Sequence, residues 1–87
     1  MHTTAPATAP TMDIDVDLVS QGDVVRIPGE RRRYRVHSVR RFALIPTRRQ
    51  AIPADDRARI ELDLRPMSRG GSPRRQTFRP TDRILVA

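Results

Sequence analysis

Two adjoining runs, Gly22-Asp23-Val24-Val25-Arg26-Ile27-Pro28-Gly29 and Arg31-Arg32-Arg33-Tyr34-Arg35-Val36, constrain this chain more than any other part of its sequence. A Gly-Asp pair turns the backbone, Val24 to Pro28 suits a short strand, and Pro28-Gly29 turns the backbone again. The second run has the alternation of a strand and is loaded with positive charge. A tight turn joining a short apolar strand to an arginine-rich one predicts a small β-barrel with a basic face.

The rest of the chain supports an all-β reading. Tyr34 to Phe42 is predicted as one long strand whose apolar set, Tyr34, Val36, Val39 and Phe42, breaks the period of two. An odd step of that kind is what a β-bulge produces, with His37 at its position. Ala58, Ile60, Leu62 and Leu64 alternate with Arg59, Glu61, Asp63 and Arg65, the cleanest strand pattern present, and Pro66 ends it. Ser68 to Pro73 is a hairpin loop, Arg74 to Arg79 the returning strand, and Pro80-Thr81-Asp82 a tight turn before Ile84-Leu85-Val86. Residues 43–57, with Pro46, Pro53 and Arg48-Arg49, are expected to form a long loop. Ile14, Val16 and Leu18 alternate with Asp13, Asp15 and Asp17, so a half-buried strand or extended lead-in is expected there. Residues 1–12, rich in Thr, Ala and Pro, offer nothing large to bury and are expected to be a disordered tail. Residues 13–87 then form one domain with a core built from Val24 or Val25, Ile27, Tyr34, Val36, Val39, Ile60, Leu62, Leu64, Phe78, Ile84 and Val86.

Charge narrows the class of partner. Residues 1–23 hold four aspartates and no basic residue, a net of −4, while residues 24–87 carry all 17 arginines against six acids, a net of +11. Such a density attracts polyanions by its field alone. Lysine and asparagine are both missing. Selection for bidentate phosphate recognition would favour arginine over lysine. The joint loss of two residues with A-rich codons points instead to coding in a GC-rich genome, a high-GC bacterium or its phage or plasmid. With no cysteine, disulfides and thiolate metal sites are excluded. No apolar run nears the roughly 20 residues of a membrane span, and the N-terminus lacks a secretory pattern, so a cytoplasmic protein without membrane insertion is expected.

Three segments carry a resemblance to a known fold family: Asp17-Leu18-Val19-Ser20-Gln21-Gly22-Asp23-Val24-Val25, Tyr34-Arg35-Val36-His37-Ser38-Val39, and Phe78-Arg79-Pro80-Thr81-Asp82-Arg83-Ile84-Leu85-Val86. The opening, a leucine, a short spacer, Gly-Asp and two hydrophobics, resembles the first strand of bacterial SH3-like barrels, including KOW-type modules of ribosomal and transcription proteins. His37-Ser38 stands where KOW modules carry a glycine in the second strand. Over residues 17–87 the resemblance implies an SH3-like small barrel of five or six short strands, and it carries no function with it.

The candidate binding residues are therefore argued from charge and alternation. With Tyr34 and Val36 facing inward, Arg33 and Arg35 face out. Arg79 points outward beside Phe78, and Arg40, Arg41, Arg48, Arg49, Arg74 and Arg75 lie near strand ends or in loops where they could join the same patch. Such a surface would bind the phosphate backbone of duplex DNA or structured RNA in a salt-sensitive way. The competing reading is a solvated face that only keeps the domain soluble. The mixed-sign face Arg59/Glu61/Asp63/Arg65 is not expected to contact phosphates. Tyr34, Phe42 and Phe78 are the only aromatic residues and the core needs most of them, so base stacking is disfavoured.

Catalysis has little support. His2 and His37 are the only imidazoles, and a general base beside an arginine does not make a site. Toxin nucleases of SH3-like fold share the Gly-Asp-Val-Val opening and nothing further. Asp13, Asp15 and Asp17 share one face of an extended segment, but a hard cation needs further oxygen ligands arranged around it. These acids are expected instead to lie against the arginine face and temper it. The expectation is thus a non-enzymatic nucleic-acid-binding module without cofactor or metal. The alternative is a protein-interaction module docking on an acidic partner of the transcription, translation or phage machinery, with Leu44, Ile45 and Ile52 as its apolar anchors.

Overall fold

The structure is a computed structural model and describes residues 11–87. It holds six strands, β1 (Met12–Asp15), β2 (Val24–Arg26), β3 (Arg33–Ala43), β4 (Ala58–Pro66), β5 (Arg74–Phe78) and β6 (Arg83–Val86), with single-turn 3-10 helices at Val16–Leu18 and Ala54–Asp56. All pairings are antiparallel and give one sheet in the order β1-β6-β2-β3-β4-β5. The small all-β fold expected from the sequence is what forms. The sheet curls around its core but does not close by hydrogen bonding, because β1 takes the outer edge of β6 and β5 pairs only with β4. The tail expected over residues 1–12 lies outside the described residues as far as residue 10. Met12 departs from it, since it pairs with Val86 in β1.

Turn chemistry sets the strand boundaries. In Ile27-Pro28-Gly29-Glu30 the Glu30 amide donates to the Ile27 carbonyl at 2.9 Å and Gly29 has φ 87°. Proline at the first corner and a positive φ at the second meet the needs of a type II turn. A second turn is pinned by its own acid: the Asp82 amide donates to the Arg79 carbonyl at 3.0 Å, and the Arg79 amide donates to Asp82 Oδ2 at 2.9 Å. The Val16 amide in turn donates to the Asp82 carbonyl at 2.8 Å, fastening the lead-in to the end of the sheet.

The bulge falls where the broken period places it. Val36 pairs with Leu64 and Ser38 with Asp63, leaving His37 as the extra residue of β3. The shift returns Val39 to the core side and sends Ser38, Arg40 and Phe42 to the outer face. Phe42, absent from the expected core, is half-buried there beneath Arg40, whose guanidinium carbon sits 4.7 Å from the ring centroid.

The core contains Val25, Ile27, Tyr34, Val36, Ile60, Leu62, Leu64, Phe78, Ile84 and Val86, as the alternation requires, with Val39 packed partly buried against it. Two members were not foreseen, Val16 and Val19. Strand alternation over 13–18 would have buried Leu18. The 3-10 turn at Val16–Leu18 rotates Leu18 outward, to 65% exposure, and brings Val19 in. No helix among the described residues is long and apolar enough to cross a membrane.

Candidate nucleic-acid interface

Cross-strand partners in a ladder project to the same face of a sheet. Arg26 of β2 stands opposite Arg33 of β3, and Arg35 of β3 stands opposite Arg65 of β4. With Val25, Tyr34, Val36 and Leu64 committed to the core, all four arginines project from the outer face. Two like-charge pairs thus lie side by side on three neighbouring strands. Like charges in direct opposition destabilise a ladder.

Carboxylates are committed elsewhere. Arg40 pairs with Glu61 at 3.3 Å, Arg41 with Asp17 at 3.5 Å, Arg74 with Glu30 at 3.0 Å and Arg79 with Asp56 at 3.6 Å. Arg83 bridges Asp13 at 3.1 Å and Asp15 at 2.6 Å. Asp23 accepts the Ser20 amide at 2.9 Å. Among the described residues, Arg26, Arg31, Arg32, Arg33 and Arg35 of the β2–β3 region form no ion pair, and neither do Arg48, Arg49, Arg57 and Arg69 in or near the loops. Arg35 instead donates to the Gly22 carbonyl at 3.2 Å. The field of the outer face is therefore concentrated at the β2–β3 turn and balanced at the opposite end.

Asp63 sits at the border between these zones. It is the one buried charged residue among those described, at 8% exposure, and its carboxylate accepts from Arg65 Nε at 3.1 Å and Arg65 Nη2 at 3.3 Å. Arg75 reaches it at 4.0 Å. The Arg65 hydrogen bond holds the Asp63 carboxyl below its ordinary range against the opposing effect of burial, and the charges of Arg65, His37 and Arg75 add to the lowering. Asp63 anchors Arg65 without cancelling the remaining arginines.

The nine arginines singled out from the sequence do not form one continuous patch. Arg33 and Arg35 lie in the ion-pair-free zone, while Arg40 and Arg75 share the outer face but are paired with acids. Arg41 and Arg74 fall on the core side of the sheet, opposite Ile60 and Leu64 respectively. Arg74 caps the core edge there, 5.6 Å from the Tyr34 ring centroid and hydrogen-bonded to Glu30, the Tyr34 hydroxyl and Gln76. Arg48 and Arg49 are exposed in the segment between β3 and β4, and Arg79 lies beside Asp56. Sequence reasoning missed Arg26, Arg31, Arg32 and Arg65. Arg26 was legible as an outward residue, because it follows the inward-facing Val25 in a strand.

The acids of the lead-in do meet arginines, as expected, but those of β6 and of the far end of β3. Among the described residues no group of three or more His, Asp or Glu side chains is placed to hold a metal ion. No protein-family model, curated protein or solved structure matches this chain.

Proposed function

We propose that this protein binds nucleic acid without catalysing its reaction, holding the phosphate backbone of duplex DNA or structured RNA on the outer face of β2 and β3. The observation that carries the reading is the juxtaposition of Arg26 with Arg33 and of Arg35 with Arg65, joined by Arg31 and Arg32 at the adjoining turn. Asp63 relieves the Arg35/Arg65 opposition, but the cost at Arg26/Arg33 meets no acid and is offset once a phosphate lies between the guanidinium groups. Tyr34 and Phe78 are buried and Phe42 is covered by Arg40, which favours backbone contacts over aromatic stacking of bases. This reading expects the protein to work in the cytoplasm, where nucleic acid is an abundant polyanion.

Ile45, 83% exposed between β3 and β4, favours a second reading in which the protein docks on an acidic protein. Purification with and without nuclease treatment separates the two, followed by binding assays on duplex DNA and hairpin RNA at low salt. The first reading expects nucleic acid to co-purify and both probes to bind. A protein partner retained after nuclease and lost on Ile45→Ser, with neither probe bound, would establish the second.

A further inference from the structure

Beside the arginine pairs lies a surface depression of about 320 Å³ lined by Arg31, Arg32, Arg33, Met67 and Ser68. Its two walls differ in chemistry. One consists of three successive arginines, none in an ion pair among the described residues, because the neighbouring Glu30 is occupied by Arg74. The other is the start of the β4–β5 hairpin, tied to the first where the Met67 amide donates to the Arg33 carbonyl at 3.2 Å. Met67 is 51% exposed there, a polarisable apolar side chain beside concentrated positive charge.

The hairpin also makes room for an arginine. A Cβ added at Gly71 would fall 2.8 Å from Arg32 Nη1 and 2.5 Å from Pro66 Cβ. The absence of a side chain at Gly71 is what lets the Arg32 guanidinium lie against the hairpin backbone. The space left by Gly71 admits the Arg32 guanidinium at the rim of the depression.

The volume sits at the lower end of the range for small-ligand sites, roughly 300–1,000 Å³, and is far too small for a duplex. Its lining suits a ligand that is anionic on one side and apolar on the other. We propose that the depression takes one unpaired nucleotide of an RNA or DNA strand, its phosphate on Arg31, Arg32 and Arg33 and its base against Met67. The duplex beside it would lie across the arginine pairs, so this inference rests on the nucleic-acid reading. It assigns the site a preference for an unpaired nucleotide without reading which base is present. A second depression, of about 180 Å³ beside Arg75, includes Asp63 in its lining and is less suited to an anion.

The test compares one stem presented blunt and with a single 5′-phosphorylated unpaired nucleotide, in ribose and deoxyribose forms, by fluorescence anisotropy on the full chain. The unpaired nucleotide is expected to tighten binding roughly two- to tenfold, the span of a sulfur–aromatic contact. Met67→Ala should abolish that gain and leave blunt-stem affinity unchanged. Gly71→Ala, whose Cβ would press on Pro66 as well as Arg32, should reduce the gain by shifting both walls, with a thermal melt reporting that the fold persists. Equal affinity for both stems, or a gain that survives Met67→Ala, overturns the inference while leaving the duplex reading intact. Failure of both stems to bind overturns the two together. Ribose and deoxyribose forms that differ assign the site to one strand type, in support of it.

Discussion

Arg26 stands directly opposite Arg33 in the β2–β3 ladder, and neither forms an ion pair with an acid among the described residues. The Pro28-Gly29 corner alone would set Arg26 opposite Arg31; the ladder register is shifted by two residues from that, which leaves Arg31 and Arg32 in the connection and brings Arg33 opposite Arg26. A sequence selected for stability alone would place an acid at one of the two positions.

Replacing one member tests that statement. Arg26→Glu converts a repulsive pair into an attractive one and should raise the unfolding free energy by about 0.2–1 kcal/mol in urea. The same variant should bind duplex more weakly. A variant that is both less stable and an equally good binder would remove the basis for regarding the pair as functional.

The core makes a simpler demand. Leu62 is fully buried at the centre of β4, between β3 and β5. Leu62→Ala should cost on the order of 2–5 kcal/mol by denaturant unfolding, a large share of what so small a domain possesses. An unchanged midpoint would mean that β4 is misplaced.

Asp63 governs part of the acid response. Its folded carboxyl titrates below the ordinary range because Arg65 hydrogen-bonds it, so the folded state binds fewer protons than the unfolded state in that interval. Its stabilising contribution is therefore complete above the unfolded value, about 3.9, and fades as pH falls through the lower folded value. Asp63→Asn should lower stability at neutral pH and flatten its decline between about pH 5 and pH 2. A parallel decline in both proteins would show that Asp63 is not among the groups responsible.

The acidic lead-in supplies a gain-of-binding test. Asp13 and Asp15 hold Arg83, and Asp17 holds Arg41. The triple change Asp13→Asn, Asp15→Asn and Asp17→Asn should tighten duplex binding at low salt by freeing those two arginines. Substitution is cleaner than deletion, because removing residues 1–17 would also remove the buried Val16. Unchanged or weaker binding by a folded triple variant counts against any tempering role.

Much of this fold is legible in the sequence, and the reasons are local. The Pro28-Gly29 corner, the alternation of 58–65 and the odd step from Val36 to Val39 each report a backbone geometry within a few residues. Val16 and Val19 escaped because an alternating acid–aliphatic run has the same pattern whether it stays extended or tightens into a 3-10 turn. The site was less legible. Which arginines are free depends on contacts such as Arg83 with Asp13, 70 residues apart, and Arg74 with Glu30, 44 residues apart. Only the folded chain brings those acids to their partners, so charge counting could not tell the arginines an acid holds from those it leaves free.

The most direct measurement is a salt titration of duplex affinity for the parent and for the Arg33→Ala, Arg35→Ala double variant. Log affinity should fall linearly with log salt, with a slope of about −0.9 for each phosphate neutralised. The double variant, whose lost side chains point away from the core, should keep its thermal midpoint within a few degrees and bind all duplex sequences more weakly. Its slope should be shallower by up to about two units. An unchanged slope in a folded double variant, or no binding by the parent at low salt, would contradict the claim that these arginines hold a phosphate backbone.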